Sequence, residues 1–368
     1  MLKDHATPDG TASYASRFTG HAGNYRPMLG MSVSSVGIGT YLGGEDGATD
    51  AGYAQAIRAA LVGGINLVDT AVNYRCQRSE RVIGKVIAEL AASGQLRREQ
   101  ILIASKGGYI AFDGEVPADP RGWFEENFLR PGIVKPNELV QGSHCMTPRY
   151  LEAMLDVSRS NLGLETIDIY YLHNPETQLS AVDHKEFLVR IRRAFEFLES
   201  AVETGKIVNY GTATWNGFRL KPHERGYISL AELVSAATDV GGADHHFRVI
   251  QLPYNLAMTE ALTLRNQTLP GDSQVSLLAA ADAMGVRVCA SASLLQGQLT
   301  SRLPELLQSI FPEMESDAQR AIQFVRSTPG ISVALVGMSS ATHVTHNLAA
   351  LKHPPAPESL MKLFTRAE

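Results

Sequence analysis

The chain has 368 residues, 44% of them hydrophobic and 19% charged, a composition that can bury a large core without disulfide or metal staples. The net charge of −5 and a pI near 6.1 leave no electrostatic footprint for a nucleic-acid or anionic-membrane partner. The three widely spaced cysteines, Cys76, Cys145 and Cys289, argue against a disulfide framework, and no apolar run approaches a membrane span or a secretory signal, so a cytoplasmic location is expected.

Residues 1–27 are polar and Gly-rich without a clear period, and read as an N-terminal extension that wraps or frays. Residues 34–40 predict a first strand ending Gly39-Thr40, followed by the Gly-rich loop 43–47. Helical apolar spacing over 50–63 stops at Gly63-Gly64, a C-cap signal. A strand to Asp69, a helix over 79–92 closed by Gly94, and a strand to Lys106 come next. Thr147-Pro148 pairs a cap residue with a first-turn proline and opens a helix through Leu162; a strand to His173 follows. A long helix over 184–204 ends at Gly205. Strands are predicted at 207–211, 248–252, 286–290 and 331–336, with helical patterns near 228–240, 273–284 and 316–327 and a last helix over 341–351. Eight strands alternating with eight helices mean βαβ units and a parallel sheet, closed as a (β/α)8 TIM barrel.

One connection is too long for an ordinary loop. The segment 107–146, after the third strand, carries Tyr109, Phe112, Trp123, Phe124, Phe128 and His144. Its aromatics argue against disorder, and it leaves a catalytic strand end, so it is expected to act as a lid or specificity loop. Tyr109 and Trp123 are its candidate substrate contacts, with Trp215 beyond the fifth strand. Asp244-His245-His246 and His144-Cys145 lack zinc spacing and read as polar loop residues, so no metal is expected.

Four polar residues sit where four barrel strands would deliver them: Asp69, Tyr74, Lys106 and His173. Residues just past strand C-termini line the active site of such a barrel. A tyrosine hydroxyl titrates near pH 10, so it needs a tuner to exchange protons at neutral pH. A nearby ammonium favours the phenolate, and a carboxylate keeps that ammonium charged and in place. An imidazole on the next strand can hold a substrate oxygen from the other side.

These residues lie in segments that resemble the aldo-keto reductase superfamily. The matching runs are Asn66-Leu67-Val68-Asp69-Thr70-Ala71 with Tyr74, Ala104-Ser105-Lys106, and 168–175 ending Leu172-His173-Asn174-Pro175. Later come Gln251-Leu252-Pro253-Tyr254-Asn255, Val336-Gly337-Met338-Ser339-Ser340, His343-Val344 and Asn347-Leu348-Ala349. The resemblance covers 28–352, leaving a C-terminal tail at 353–368. It implies hydride transfer between NAD(P)H and the carbonyl carbon of an aldehyde or ketone, without a metal. Tyr74 would be the general acid, Lys106 and Asp69 its tuners, and His173 the residue that orients the carbonyl. Gln251 would hold the nicotinamide carboxamide beside Asn174, and Asn347 would face the adenine. Gly39, Thr40, Leu294 and Gly337 complete the implied cofactor site.

Three departures stand out. Ala213 and Thr214 replace the usual Ser-Asn pair on strand five. Ser291 replaces the aromatic that normally stacks on the nicotinamide, with Trp215 as a substitute suggested by sequence proximity. The segment 339–347 has no Arg or Lys for a 2′-phosphate, only Ser339, Ser340, His343 and helix-start N–H groups. NADP(H) is therefore favoured only modestly over NAD(H). The expected substrate is a small polar or aromatic carbonyl, a sugar-like one included, or the corresponding alcohol. The competing readings are a cofactor-binding regulatory barrel without net turnover, and a lyase or epimerase that recycles its cofactor within one cycle. The oligomeric state is left open.

Overall fold

Twelve strands form in the computed structural model, which describes residues 1–21, 23–269 and 271–364. They are β1 (Tyr25–Met28), β2 (Met31–Ser34), β3 (Val36–Gly39), β4 (Leu67–Asp69), β5 (Leu102–Gly107), β6 (Ile167–His173), β7 (Ile207–Ala213), β8 (Phe247–Pro253), β9 (Gln267–Leu269), β10 (Ser273–Val275), β11 (Arg287–Ser291) and β12 (Ile331–Gly337). Eight of them close a barrel in the order β11-β12-β3-β4-β5-β6-β7-β8, every neighbouring pair parallel. Helices follow them around the outside, and the fold is the expected (β/α)8 barrel.

The barrel strands are short Val/Ile-rich runs because both of their faces are covered, and all seven residues of β6 are buried. Side chains pointing outward, such as Ile103, Tyr170 and Ile250, pack beneath the helices. Side chains pointing inward fill the barrel interior: Leu67, Leu102, Ala104, Ile169, Tyr171, Val249, Cys289 and Val333. At Gly211 the two sheet neighbours come so close that a Cβ would lie 1.7 Å from the Val249 carbonyl oxygen, and the β7–β8 register shifts there.

The N-terminal segment is ordered. Pro8–Ala15 is a helix capped by the Thr7 hydroxyl, and Tyr14 donates to the carbonyls of Leu61 and Ile65 at 2.6 and 3.0 Å. The β1–β2 hairpin adds Met28, Met31 and Val33 to the inner cluster, so the barrel is plugged from its N-terminal end and open only at the other. That hairpin spans the residue 27/28 boundary read from the sequence. The last four residues of the expected C-terminal tail lie outside the described residues.

Two local readings need correction. Residues 273–275, assigned to a helix from their spacing, pair instead with β9 in an antiparallel hairpin. The helix Leu277–Ala283 starts only after Ser276, whose hydroxyl accepts from the Ala279 amide. Thr147 does occupy the N-cap position before Pro148, but its hydroxyl makes no cap bond and lies 3.4 Å from Cys145 Sγ. Among the described residues no helix is long and apolar enough to cross a membrane.

The plugged end is tied by Asp168. Its carboxylate accepts from Arg98 at 2.6 Å and from the backbone amides of Ala6 and Ile103, each at 2.7 Å. Asp168→Ala would strand a buried guanidinium and two amides, and should cost about 3–5 kcal/mol of unfolding free energy in urea titrations. A loss below about 1 kcal/mol would contradict this tie. Ligand binding at the opposite mouth should survive in the folded fraction.

Candidate active site

The open mouth collects the four polar residues. Asp69 ends β4, Lys106 lies near the end of β5 and His173 ends β6. Tyr74 sits in the turn that follows β4, so three neighbouring strands deliver the four residues rather than four. Lys106 is fully buried; its Nζ donates to Asp69 Oδ1 at 2.6 Å and to the Thr70 carbonyl at 2.7 Å. The second Asp69 oxygen accepts from Gln251 Nε2 at 2.7 Å. The Lys106 ammonium lies 5.0 Å from the centre of the Tyr74 ring. His173 meets Tyr74 edge-on at 5.7 Å and Tyr109 at 5.1 Å.

The electrostatics differ from the expectation in one respect. Burial pushes the Tyr74 phenol well above its usual value, and the Asp69 carboxylate adds to that shift, followed by Tyr41 and Tyr109. The Lys106 ammonium, bonded to Asp69 and the Thr70 carbonyl, does not reverse that direction. Tyr74 is therefore held protonated, a donor rather than a phenolate. Burial pulls Lys106 down, with Asp69 opposing. Burial also pulls His173 well below the usual imidazole range, helped by the Lys106 charge and His144, so its ring is neutral.

A cavity of about 840 Å³ opens over these groups and extends along the strand ends past Ser291, Leu294 and Gly337 to His343 and Asn347. This is the size of a small-molecule or cofactor site. Three of its lining residues carry buried polar atoms without partners: Asn73 Oδ1, His173 Nδ1 and Thr214 Oγ1. Unmatched polar atoms at a cavity surface are what a polar ligand completes.

Residues 35–230 match the model of the aldo/keto reductase family. The chain belongs to that family. Aldo-keto reductase YhdN of Bacillus subtilis is 28% identical over 190 residues, 51% of this chain and 45% of that protein, so the match spans about half the length of that relative. A putative voltage-gated potassium channel subunit beta of Schizosaccharomyces pombe is 23% identical over 353 residues, covering 91% of this chain and 90% of that one. Among solved structures, an aldo/keto reductase from Klebsiella pneumoniae in complex with NADP and acetate superposes with a TM-score of 0.61 at 21% identity, over 93% of this chain and 94% of that one. At that identity the likeness speaks for the fold.

On this aldo/keto reductase barrel, most candidate site residues lie where the sequence put them. Asp69, Tyr74, Tyr109, His173, Asn174, Thr214, Trp215, Gln251, Ser291 and Ser339 line the cavity, as do Gly39, Thr40 and Ala213. Lys106 stands behind the wall, bonded to Asp69. Ser340 is not on the wall; its hydroxyl caps the helix Ala341–Leu348 by accepting from the His343 amide. Trp123 is a plain correction. It is partly buried and packs against Phe112 and Phe128 at 5.1 and 5.6 Å, on the side of a small core that the 107–146 segment builds with Tyr150 and Met154. Of that segment only Tyr109 reaches the cavity.

His144 is the second correction. It was read as a polar loop residue, yet it is fully buried with its ring 2.7 Å from the His173 carbonyl. His246, from the other histidine fragment, does lie at the surface, paired with Glu199. Asn73, Tyr41, Leu42 and His346 also line the cavity and carried no sequence signal beyond proximity to the motifs. Among the described residues no cluster of three or more His, Cys, Asp or Glu side chains could hold a metal ion, and Cys76, Cys145 and Cys289 are free and buried.

Burial holds His144 down to about 4, against about 6.5 for an unfolded histidine. Between these values the unfolded chain binds a proton that the folded chain excludes. The contribution to stability is full above about pH 6.5 and is lost as the pH falls toward about 4. Urea unfolding of the native protein should therefore weaken over that window more steeply than that of His144→Asn, by up to about 3 kcal/mol. Parallel curves would show that His144 is not buried neutral.

Proposed function

We propose that this barrel is an NAD(P)H-dependent oxidoreductase that interconverts an aldehyde or ketone and its alcohol. The observation that carries the reading is the buried Lys106–Asp69 pair set behind Tyr74 at the wall of the cavity. Taking an ammonium fully out of water costs several kcal/mol, and a barrel that needed only packing would place an apolar side chain there.

In this reading Tyr74, held protonated, donates its phenolic proton to the carbonyl oxygen as that oxygen gains charge. His173, neutral, offers one N–H to the same oxygen and orients it. Lys106 supplies the positive charge that offsets the phenolate left on Tyr74, and Asp69 keeps that charge in place with Gln251 bracing its second oxygen. The nicotinamide, when bound, supplies the hydride to the carbonyl carbon, or accepts it in the reverse direction. Asn174, Thr214 and Gln251 would hold it at the catalytic end, with Trp215 supplying the aromatic face that Ser291 lacks. Gly337, Ser339, His343 and Asn347 would hold the adenosine end.

No Lys or Arg lines the cavity among the described residues. That favours an uncharged carbonyl compound over a keto acid. Tyr41 packs edge-on against Tyr74, and Leu42, Tyr109 and Trp215 also line the cavity, which suits an apolar or aromatic substrate face. NADP(H) is proposed modestly ahead of NAD(H), with Ser339 and His343 as the groups available to a 2′-phosphate. A regulatory barrel without net turnover is the second reading, favoured by the channel-subunit name of the relative matched along most of this chain.

Tyr74→Phe should lower carbonyl reduction by at least about 100-fold while cofactor affinity changes less than about twofold. Comparable turnover in the variant would remove Tyr74 from the acid role. Parallel fluorescence titrations with NADPH and NADH test the cofactor site. Tighter NADPH binding assigns the phosphate to Ser339 and His343, tighter NADH binding reverses the preference, and binding of neither ends the oxidoreductase reading.

A further inference from the structure

We propose that His144 is a positioning residue that fixes the end of β6, and with it the His173 side chain at the cavity wall. The role of His173 in this inference rests on the function proposed above. The argument starts where β5 leaves the sheet. The β5–β6 ladder ends at the Gly107–Leu172 pair, so the His173 carbonyl has no strand neighbour on that side. Gly108 turns away at φ +152°, and a Cβ there would lie 2.7 Å from the His173 oxygen and 3.0 Å from the His144 ring. The next residue, Asn174, is left-handed at φ +46°. A backbone leaving a strand this way holds its last side chain only if the freed carbonyl is bonded elsewhere.

His144 makes that bond, 2.7 Å from ring Nε2 to the His173 oxygen. The direction of the proton follows from a chain of three side chains. Arg190 has donors only, so the Gln178 oxygen must face it, and the Gln178 NH2 faces His144 Nδ1 at 2.7 Å. Nδ1 is therefore the acceptor, and the single ring proton lies on Nε2, aimed at the carbonyl. A charged imidazolium would set N–H against N–H at Gln178, in accord with the burial that holds this ring neutral. Two further contacts lock the arrangement. Tyr109 packs edge-on against both His144 and His173 at 5.1 Å, and its hydroxyl is within 3.2 Å of Asn174 Nδ2. His144 itself is pinned by bridges to Tyr109 and Val140. The 107–146 segment thus acts on the site from behind, through backbone geometry. Arg190, on the helix His184–Glu203, holds the far end of the chain.

The test compares His144→Leu, which removes the donor, with His144→Gln, which can donate to the carbonyl and accept from Gln178. Three measurements are made on each full-length variant: the His173 ring resonances by NMR, NADPH and NADH affinity by fluorescence, and kcat and KM for a carbonyl substrate. In His144→Leu the His173 resonances should shift, kcat should fall roughly tenfold or more, and cofactor affinity should stay within about twofold. His144→Gln should restore most of both the resonances and kcat. Unmoved His173 resonances in His144→Leu overturn the proposal, as does a Gln variant no better than Leu. If His144→Leu does not fold, Arg190→Met loosens the same chain from its partly exposed end: a smaller shift of the same His173 signals supports the proposal, and no shift overturns it. The resonances need no turnover, so a protein that reduces nothing still answers the positioning question, and only the proposed reaction falls.

Discussion

A lysine ammonium out of water is unstable unless something of opposite charge sits against it, and the open mouth of this barrel is organised around meeting that demand. Lys106 has no exposed surface. Asp69 and the Thr70 carbonyl take two of its three donors at 2.6 and 2.7 Å, and Gln251 braces the far carboxylate oxygen from across the barrel. The contacts join β4, β5 and β8, so the charge can stay buried only if the barrel closes in register. Burial sets the states of Tyr74 and His173 and this pair reinforces them: the carboxylate adds to what keeps the phenol protonated, and the ammonium adds to what keeps the imidazole neutral. A protonated phenol and an uncharged imidazole thus stand side by side.

The two ends of the barrel use buried charge differently. At the plugged end, Asp168 bonds Arg98 and the backbone amides of Ala6 and Ile103. At the open end, the satisfied pair is ringed by atoms that are not satisfied: Asn73 Oδ1, His173 Nδ1 and Thr214 Oγ1. The tie at one end joins charged groups and backbone amides, whereas the unmatched atoms at the other face a cavity. The aromatics of the long segment after β5 build a separate small core, while Tyr109 and His144 reach back to the end of β6.

Trp123 and His144 show where sequence reading falls short. Each lies in a segment without strand or helix periodicity, so nothing in the local pattern says which way a side chain points. Trp123 had the right chemistry for a substrate wall and turned into the segment's own core. His144 read as a polar loop residue and proved to be buried against the end of β6. For Tyr74, sequence supplies the presence of an ammonium but not the burial and the neighbouring carboxylate that push the phenol up.

Alternation of apolar runs with helical spacing was enough to determine the (β/α)8 barrel, because strand and helix periods are written locally and eight such units close in one way. Sequence also determined that Asp69, Lys106 and His173 meet, since strand ends in a closed parallel barrel share one mouth. Only the tertiary structure decided that the N-terminal segment plugs the opposite end and that His144 fills a hydrogen-bonding gap left when β5 departs. Those outcomes depend on distances between segments far apart in the chain, which no local pattern encodes.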